Sequence, residues 1–267
     1  METVETSQRP AKSVGVVIPY YRAPEALKKT IAHLQNQRHV RSSVFVRDNS
    51  EDNILFTRAV NEGLSQFAFN SQFDYTLILN QDAYLHEECL SQMLAVMESN
   101  PKAGICGAIA LSPNKSVNWA GSGSAFPWGQ HLSYDLTKLP KQAFQTHWVN
   151  GACMLIRNTM VREIGLLDVN MRFICSDADY SFTARARAWQ CLVSPTAFVE
   201  HELSGSAAIQ DPFLIKTKLE DQLYFAKKWL SGDLYRTLAM EGSTLTPEFV
   251  RTQIQKTELE LRQFQQK

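Results

Sequence analysis

Polar residues follow three short apolar runs in the N-terminal part of the chain. The residues that end these runs are Tyr20-Tyr21, Asp48-Asn49 and Asn80-Gln81-Asp82. Because ligands bind outside the carboxyl ends of the strands in an open parallel sheet, these residues predict one binding site. Asp82 suits a hard divalent cation, which prefers oxygen ligands and keeps positions for phosphate and water. Asp48 has an alternative role as a turn former that caps the next helix.

A second acidic cluster, Ser176-Asp177-Ala178-Asp179, lies far along the chain. In an extended segment Asp177 and Asp179 share a face, and carboxylates held close together raise each other's pKa, which suits a general base. At a helix start the two side chains diverge, and the helix dipole alone favours Asp there. His201 follows the strand-like run at 197–199 and is a candidate metal ligand, although a lone histidine also serves as an ordinary hydrogen-bonding residue.

Alternating strands and helices would position these residues. An apolar run rich in β-branched residues predicts a buried parallel strand at 14–18, and further runs predict strands at 43–46, 75–79 and 105–107. Apolar residues at helical spacing follow the first three runs, and Pro24 predicts the start of the first helix. Pro19 predicts the end of the first strand, because proline donates no hydrogen bond to a sheet. The alternation predicts an α/β fold with a mainly parallel sheet flanked by helices.

The second half of the chain is less regular. Residues 112–147 are rich in Ser, Gly, Asn, Pro and aromatic residues, and predict a functional loop or a hairpin excursion. Regular structure resumes with a predicted strand at 151–156 and a helix that carries Val161, Ile164 and Leu167. Thr246-Pro247 predicts the start of the last helix, with threonine as the cap and proline at the first position.

Composition limits the classes of protein to consider. The 267 residues include 27 basic and 27 acidic side chains, so the net charge is zero and no nucleic-acid-binding face is expected. No apolar run approaches the ~18 residues of a membrane-spanning helix. Residues 1–12 lack the apolar core of a signal peptide, so we expect a cytoplasmic protein with a disordered leader. The five cysteines include no Cys-x-x-Cys pair, which predicts buried thiols.

Short motifs occur in a recognisable order between about Val14 and Ser206. They are Val17–Tyr21, Asp48–Ser50, Asn61–Leu64, Leu79–Ala83, Asn150–Arg157, Gly165–Asp168, Ser176–Tyr180 and His201. No single motif is specific, but together they resemble glycosyltransferase family 2, which has the GT-A fold, and they are closest to its bacterial rhamnosyltransferase-like branch. The resemblance implies a Rossmann-like GT-A domain at 13–206 and a C-terminal helical extension at 207–267.

The resemblance also implies a role for each candidate residue. The nucleotide site would consist of Pro19, Tyr21, Asp48, Asn80 and Gln81, with Asp48 on the uracil or thymine base. Asp82 and His201 would bind Mn²⁺ or Mg²⁺ at the diphosphate, and Asp177 would be the base that deprotonates the acceptor. The pocket for the sugar and acceptor would be formed by Trp148, Gly151, Ala152 and Asp179.

Two positions depart from the family's pattern. Asn80 stands first in the Asp-x-Asp motif, and Ser176 stands where Glu usually precedes the catalytic Asp. The resemblance implies an inverting, metal-dependent transferase that moves a sugar from a UDP- or dTDP-sugar to a hydroxyl of a glycan or lipid-linked glycan. The departures leave a non-catalytic nucleotide-sugar or glycan binding module as an alternative. A nucleotidyltransferase is a further alternative, although the loop at 20–24 lacks the glycines that such enzymes normally have.

Two further groups of side chains suggest partners. Aromatic residues in or beside the irregular stretch either stack on sugars or form a satellite core, and they are Trp119, Phe126, Trp128, Tyr134 and Trp148. Four C-terminal lysines are candidates for contact with the inner face of a membrane, and they are Lys216, Lys218, Lys227 and Lys228. Glu220 and Asp221 dilute this positive charge. For the last helix, packing on its own domain and formation of a homodimer are the two predicted alternatives.

Overall fold

The structure, a computed structural model, describes residues 12–123, 130–131, 135–201, 211–240 and 246–265. Its strands are β1 (Ser13–Tyr20), β2 (Arg41–Asp48), β3 (Tyr75–Leu79), β4 (Tyr84–Leu85), β5 (Ala103–Leu111), β6 (Val117–Trp119), β7 (Ser122–Gly123), β8 (Gln130–His131), β9 (Phe144–Gln145), β10 (Cys153–Arg157) and β11 (Gln190–Glu200). Its α-helices are α1 (Pro24–Gln35), α2 (Leu55–Ala68), α3 (Cys89–Ser99), α4 (Asn158–Ile164), α5 (Ser176–Ala186), α6 (Pro212–Ser231), α7 (Asp233–Met240) and α8 (Pro247–Gln265). A 3₁₀ turn covers Leu136–Lys138. Of the predicted leader, only Lys12 lies within the described residues.

Nine of the strands in the described residues form one sheet, with the order β2-β1-β3-β10-β5-β11-β4 and with β6 and β9 paired to β5 and β11. The longest pairings, β1 with β2 and β5 with β11, are parallel. Strand β10 runs antiparallel to both of its neighbours, β3 and β5. The predicted α/β class, with a mostly parallel central sheet flanked by helices, is confirmed. The reversed direction of β10 was not predicted, because apolar periodicity carries no information on strand direction.

Several strands are longer than predicted, among them β1, β2 and β5. Strand β1 continues through Pro19 to Tyr20, so the prediction that Pro19 ends it is wrong. The pairing of β1 with β3 stops at Val17, and Pro19 therefore lies where β1 pairs only with β2, much like the edge positions that tolerate proline. Strand β5 covers Ala103–Leu111 and is buried throughout. Its alanines and glycines gave too weak a strand pattern for the sequence to predict this length.

The main core lies between the sheet and the helices packed against it. Every residue of β3 is buried, and the apolar side of α2 packs against β1 and β3. At Gly63 the helix comes so close to the sheet that an added Cβ would lie 2.6 Å from Cγ1 of Val17. The predicted burial of thiols is confirmed for four cysteines, with the fifth, Cys175, half-buried; the four are Cys89, Cys106, Cys153 and Cys191.

The irregular stretch contains a hairpin excursion, which is one of the two alternatives predicted for residues 112–147. Strand β6 folds back on β5, and β9 pairs with β11. Trp119 and Trp148 are only 1% and 4% exposed, and their ring centroids lie 6.4 Å apart. These two indoles therefore belong to the core, because buried rings cannot stack on a sugar. The other aromatic residues of this group, Phe126, Trp128 and Tyr134, lie outside the described residues.

The C-terminal helices pack on the rest of the chain through a second apolar cluster. It consists of Trp148, Met171, Ala178, Phe182, Phe225, Trp229 and Val250. Thr246 caps α8 as predicted, since its Oγ1 accepts a hydrogen bond from the Phe249 N–H at 3.1 Å. Helix α8 packs against α6. None of the helices in the described part of the chain is long and apolar enough to span a membrane.

The four lysines considered for membrane contact do not form an unpaired basic patch. Lys216 lies 3.7 Å from Glu220, and Lys227 lies 2.6 Å from Glu258. Lys218 lies over the Phe173 ring. Lys228 is half-buried in an ion-pair cluster that is described below. Intramolecular carboxylates therefore neutralise most of the charge that would attract an anionic surface.

Candidate functional site

The carboxyl ends of β1 and β2 bring the first two polar groups together. Tyr20 is paired with Asp48 in the parallel register, and the Asn49 N–H donates to the Tyr20 carbonyl at 2.8 Å. The Ser50 N–H donates to Oδ1 of Asp48 at 2.8 Å. Hydrogen bonds from the Ser50 hydroxyl and backbone lower the pKa of Asp48. Asp48 is thus both a turn-forming residue and an exposed, ionised carboxylate at the edge of the sheet.

Arg22 joins the loops after β1 and β2, a role that its sequence position did not reveal. Its Nε and Nη2 donate to the Ser50 carbonyl at 3.2 and 3.0 Å. The residue has a positive φ of 47°, and its guanidinium lies 5.2 Å from the centre of the Tyr21 ring. Arg22 therefore fixes the exposed Tyr21 ring relative to the turn that holds Asp48.

Gln81 connects the end of β3 to the end of β1. Its Oε1 accepts from the Tyr21 N–H at 2.8 Å, and its Nε2 donates to the Tyr21 carbonyl at 3.3 Å. The backbone carbonyl of Gln81 accepts in turn from the Thr30 hydroxyl of α1 at 2.6 Å. The side chain of Gln81 is therefore engaged with the backbone, and it orders the loop that follows β1.

Asn80, Asp82 and His201 meet where β3 and β11 end. Oδ1 of Asp82 and Nδ2 of Asn80 each lie 3.4 Å from Nε2 of His201. The Asp82 side chain is 41% exposed, whereas that of His201 is 9% exposed. The backbone of His201 is anchored because its N–H donates to Leu111 and its carbonyl accepts from Asn118 Nδ2 at 2.6 Å. The structure therefore brings together the two residues that the resemblance named as metal ligands.

This cluster has the donor set of an open site for a hard or borderline cation. Among the residues that the structure describes, no group of three His, Cys, Asp or Glu side chains gathers as in a cage made entirely by protein. Sites for Mg²⁺ usually have one or two carboxylates and take the other ligands from water and substrate phosphates. Within the described ranges the buried Nδ1 of His201 has no hydrogen-bond partner. Asp82 and His201 fit a cation that is completed by a bound diphosphate.

The loop before β10 lies between this cluster and Asp177. The Asn80 N–H donates to the Ala152 carbonyl at 2.9 Å, and Asn150 Oδ1 accepts from the Ala152 N–H at 2.8 Å. The Gly151 N–H donates to Oδ2 of Asp177 at 2.9 Å. A Cβ at Gly151 would lie 3.3 Å from the Cβ of Asp177, so glycine permits this close approach. Asp177 is thereby linked through backbone contacts to the end of β3.

Asp177 and Asp179 both belong to the first turn of α5, which is the helical alternative of the sequence prediction. Their side chains diverge. Asp179 is 2% exposed, and it accepts hydrogen bonds from Trp229 Nε1 and Lys228 Nζ, each at 2.9 Å. Burial raises the pKa of Asp179, although the Lys228 ammonium opposes this effect. Asp179 therefore holds α5 to α6. The place of Asp179 and of the buried Trp148 in an acceptor pocket remains a prediction.

Two of the sequence motifs contact each other close to the segment that leads to α5. Asn61 of α2 donates through Nδ2 to the Leu167 carbonyl at 2.8 Å and accepts from the Leu167 N–H at 3.0 Å. Thr57, one turn earlier, donates its backbone N–H to the Arg172 carbonyl at 3.0 Å. The Asn61–Leu64 and Gly165–Asp168 motifs are thus partners in fixing the segment that leads to α5.

A sequence model of the family described as Glycosyltransferase like family 2 matches residues 55–211, which is more than half of the chain. The chain belongs to this family. The matched residues include the Asn80, Asp82, Gly151, Asp177 and His201 positions, whereas β1 and β2 precede them. A search of curated proteins found no match.

Several solved glycosyltransferase structures share the fold. S. aureus TarS is 13% identical with a TM-score of 0.59, and the match covers 86% of this chain and 42% of that chain. TarS 1–349 in complex with UDP is 13% identical with a TM-score of 0.55, covering 86% and 70%. GalNAc-T7 with UDP, GalNAc and Mn²⁺ is 11% identical with a TM-score of 0.56, covering 97% and 56%. The chain thus spans less than half of the first TarS chain, and the similarity establishes the GT-A fold.

Proposed function

We propose that this protein transfers a sugar, with inversion, from a UDP- or dTDP-sugar to a hydroxyl group of a glycan or lipid-linked glycan. The observation that carries the proposal is the hydrogen-bonded path from the Asp82–His201 pair through Asn80 and Ala152 to Gly151 and Asp177. The Asp82–His201 pair and the Asp177 carboxylate are therefore connected through the end of β3 and the loop before β10. Such an arrangement suits a leaving diphosphate on one side and an incoming hydroxyl on the other.

The nucleotide would occupy the end of β1 and β2. Asp48 is exposed and ionised, so its carboxylate can accept a hydrogen bond from the N3–H group of uracil or thymine. Tyr21 offers an aromatic face next to it, and this face is fixed by Arg22 and Gln81. Two of the fold's solved relatives, TarS 1–349 and GalNAc-T7, were crystallised with UDP, which supports a uridine nucleotide as donor.

The diphosphate would lie at Asp82 and His201. A bound divalent cation supplies Lewis-acid stabilisation of the negative charge that develops on the leaving phosphate. The Mn²⁺ in the GalNAc-T7 structure supports Mn²⁺ or Mg²⁺ as this cation. Asn80 keeps the imidazole of His201 directed towards Asp82, because its Nδ2 lies 3.4 Å from Nε2 of that ring.

The acceptor hydroxyl would be activated by Asp177. Its carboxylate takes the hydroxyl proton while the acceptor oxygen bonds to the anomeric carbon and the bond from that carbon to the nucleoside diphosphate breaks. A positioned general base contributes roughly 10²–10⁴-fold to such a step. The hydrogen bonds that Asp177 accepts from the Gly151 and Ala178 N–H groups orient the carboxylate before the acceptor arrives. One base opposite the leaving group gives inversion.

A thermal-shift panel tests the proposal. UDP-, dTDP- and GDP-sugars are each added with Mn²⁺ or with EDTA, and a ligand that binds the native state raises the melting temperature. We expect a shift with UDP- or dTDP-sugars that EDTA abolishes. Asp177→Ala is expected to keep this shift and to lose nucleotide release. A shift without nucleotide release by the wild-type protein, in the presence of glycan acceptors, would instead indicate a binding module.

A further inference from the structure

Helix α6 holds the segment that carries Asp177 at three places, although the family match ends at residue 211, just before this helix. Asp168 lies 2.9 Å from Lys228 Nζ, ahead of the base. Asp179 lies 2.9 Å from the same nitrogen, after the base. Between them, the backbone just before α5 is held by Asp221. These contacts surround Asp177 in sequence on both sides.

Asp221 makes the most specific of these contacts. It is 0% exposed, and its carboxylate accepts three backbone N–H groups in succession. Oδ1 accepts from Arg172 at 3.0 Å, and Oδ2 accepts from Phe173 at 2.7 Å and from Ile174 at 3.0 Å. Hydrogen bonds to an ionised acceptor are about twice as strong as those between neutral groups. The carboxylate therefore fixes this turn of backbone as a rigid unit.

The turn fixed by Asp221 leads directly into the catalytic helix. Cys175 follows it with a left-handed φ of 68°, and α5 starts at Ser176. A rotation of the backbone at 172–174 would be carried through Cys175 to the first turn of α5. Asp177 would then move relative to Gly151, whose N–H lies 2.9 Å from its Oδ2. On the opposite side, Thr57 already holds the Arg172 carbonyl, so Asp221 completes the restraint.

We propose that Asp221 is a positioning residue for the base, and that helix α6 is therefore part of the catalytic apparatus and not only a packing extension. This inference rests on the proposed role of Asp177 in deprotonating the acceptor. Asp221 touches neither donor nor acceptor. It acts by setting the angle at which α5 presents Asp177 to the Gly151 N–H and to the acceptor hydroxyl.

The Gly151 amide resonance of the full chain is the direct test, because it needs no substrate. In wild-type protein we expect a downfield proton shift from its bond to Asp177, and we expect Asp177→Ala to abolish it. Asp221→Asn keeps the size of the side chain but places an amide donor against three N–H groups, so the resonance should move towards its position in Asp177→Ala. Glu220→Gln is the matched control, since it removes the ion pairs with Arg172 and Lys216 from the same helix turn but keeps the Asp221 carboxylate, and it should leave the resonance in place.

Nucleotide release from the UDP- or dTDP-sugar with the largest thermal shift gives the second readout. Because a misplacement of about 1 Å can cost 10²-fold in rate, we expect Asp221→Asn to lower kcat by roughly 10–100-fold while KM for the donor changes little. If Asp221→Asn does not fold, Asp221→Ser, which retains one acceptor oxygen, replaces it. A variant that melts earlier but keeps the wild-type Gly151 resonance and kcat would overturn the proposal.

Different results would overturn the assigned role of Asp177 and the positioning role of Asp221. If Asp177→Ala retains nucleotide release, the base is another residue, and both the assigned role of Asp177 and the positioning role of Asp221 are wrong. If Asp177→Ala is inactive while Asp221→Asn matches wild type in both readouts, only the positioning role is wrong. In the double variant, Asp221→Asn should add nothing to the loss already caused by Asp177→Ala.

Discussion

The backbone N–H of Gly151 donates to Oδ2 of Asp177 at 2.9 Å, so the loop before β10 fixes the carboxylate at the first turn of α5. The loop also meets β3, because the Ala152 carbonyl accepts from the Asn80 N–H. A single turn of backbone therefore connects the proposed base to the strand that bears Asp82. The geometry of the site depends on this turn more than on any side chain within it.

The first prediction concerns Gly151. In Gly151→Ala the new Cβ would lie 3.2 Å from Cζ of Phe56 and 3.3 Å from Cβ of Asp177, so the loop or the carboxylate must shift. We expect nucleotide release to fall by roughly 10-fold or more, with the donor-induced thermal shift retained. Steady-state kinetics and thermal shift on the same preparation check this. Equal kcat in the two proteins would show that the close approach is unimportant.

The second prediction concerns the cation. Asp82→Asn and His201→Ala should each raise the Mn²⁺ concentration at the midpoint of the donor-dependent thermal shift by about 10-fold or more. Asp74→Asn is the control, because this exposed carboxylate pairs only with Lys12 in the described part of the chain. A Mn²⁺ titration of each variant at fixed donor measures the effect. Identical midpoints for Asp82→Asn and wild type would place the cation elsewhere.

The third prediction concerns the base of the nucleotide. Asp48→Asn should weaken UDP binding by about 10-fold, because a charged acceptor for the N3–H becomes a neutral one. Asp52→Asn lies in the same exposed turn and loses only its ion pair with Arg47, so it should bind UDP normally. Calorimetric titration with UDP separates the two. If only Asp52→Asn binds UDP weakly, Asp52 and not Asp48 contacts the base.

The pH dependence of this binding follows from the direction of the shift. Since hydrogen bonds from Ser50 lower the pKa of Asp48, the carboxylate stays ionised at every pH above its ordinary value of about 3.9. Protonation of Asp48 should therefore not change the affinity for UDP between about pH 5 and pH 8. Ser50→Ala removes the hydroxyl and should move the acid loss of binding to higher pH. An unchanged acid limit in Ser50→Ala would contradict this account.

The fourth prediction concerns the stability of the α5–α6 contact. Lys228→Met leaves Asp168 and Asp179 without their shared ammonium group, and loss of one partner from a buried ion pair costs about 3–5 kcal/mol of the free energy of unfolding. Lys227→Met removes an exposed ion pair from the adjacent position and should have little effect. Urea denaturation at neutral pH measures both. Equal losses in the two variants would mean that burial does not matter here.

The stabilisation by Lys228, Asp168 and Asp179 is lost at alkaline pH. Burial lowers the pKa of Lys228, but the coulombic effect of Asp179 and the hydrogen bonds to Asp168 and Asp179 raise it by more, and the net shift is upward. The folded state therefore holds this proton more tightly than the unfolded chain does. The stabilisation is complete below about pH 10.4, the ordinary lysine value, and is lost as pH rises through the folded-state pKa. The difference between wild type and Lys228→Met should shrink in that alkaline range.

Sequence alone was sufficient for the parts of the fold that depend on local patterns. The strand predicted at 75–79 is β3, the Thr246-Pro247 helix start is that of α8, and the α/β class follows from the alternation of elements. The gathering of Asp48, Asn80 and Asp82 at one edge followed from the rule that parallel strands end together. Their roles in binding remain predictions that the variants above test.

The parts that depend on contacts distant in sequence could not be predicted. The Asp221 carboxylate looks like a diluting surface charge in the sequence, yet it is 0% exposed and holds three backbone N–H groups. The family resemblance implies a pocket position for Asp179, but the sequence does not indicate that its carboxylate accepts hydrogen bonds from Lys228 and Trp229. No local spacing indicates that a carboxylate will meet a cation or an indole from another helix.

The position of β10 in the sheet has a consequence for how the chain acquires its structure during synthesis. β10 lies between β3 and β5, which both precede it in the chain. Until residues 153–157 are available, β3 and β5 are each exposed along an edge rich in apolar side chains, a state that favours aggregation. The strand that closes this gap begins next to Gly151 and Ala152, so the sheet becomes continuous and the loop that carries these two residues takes its place in the same event.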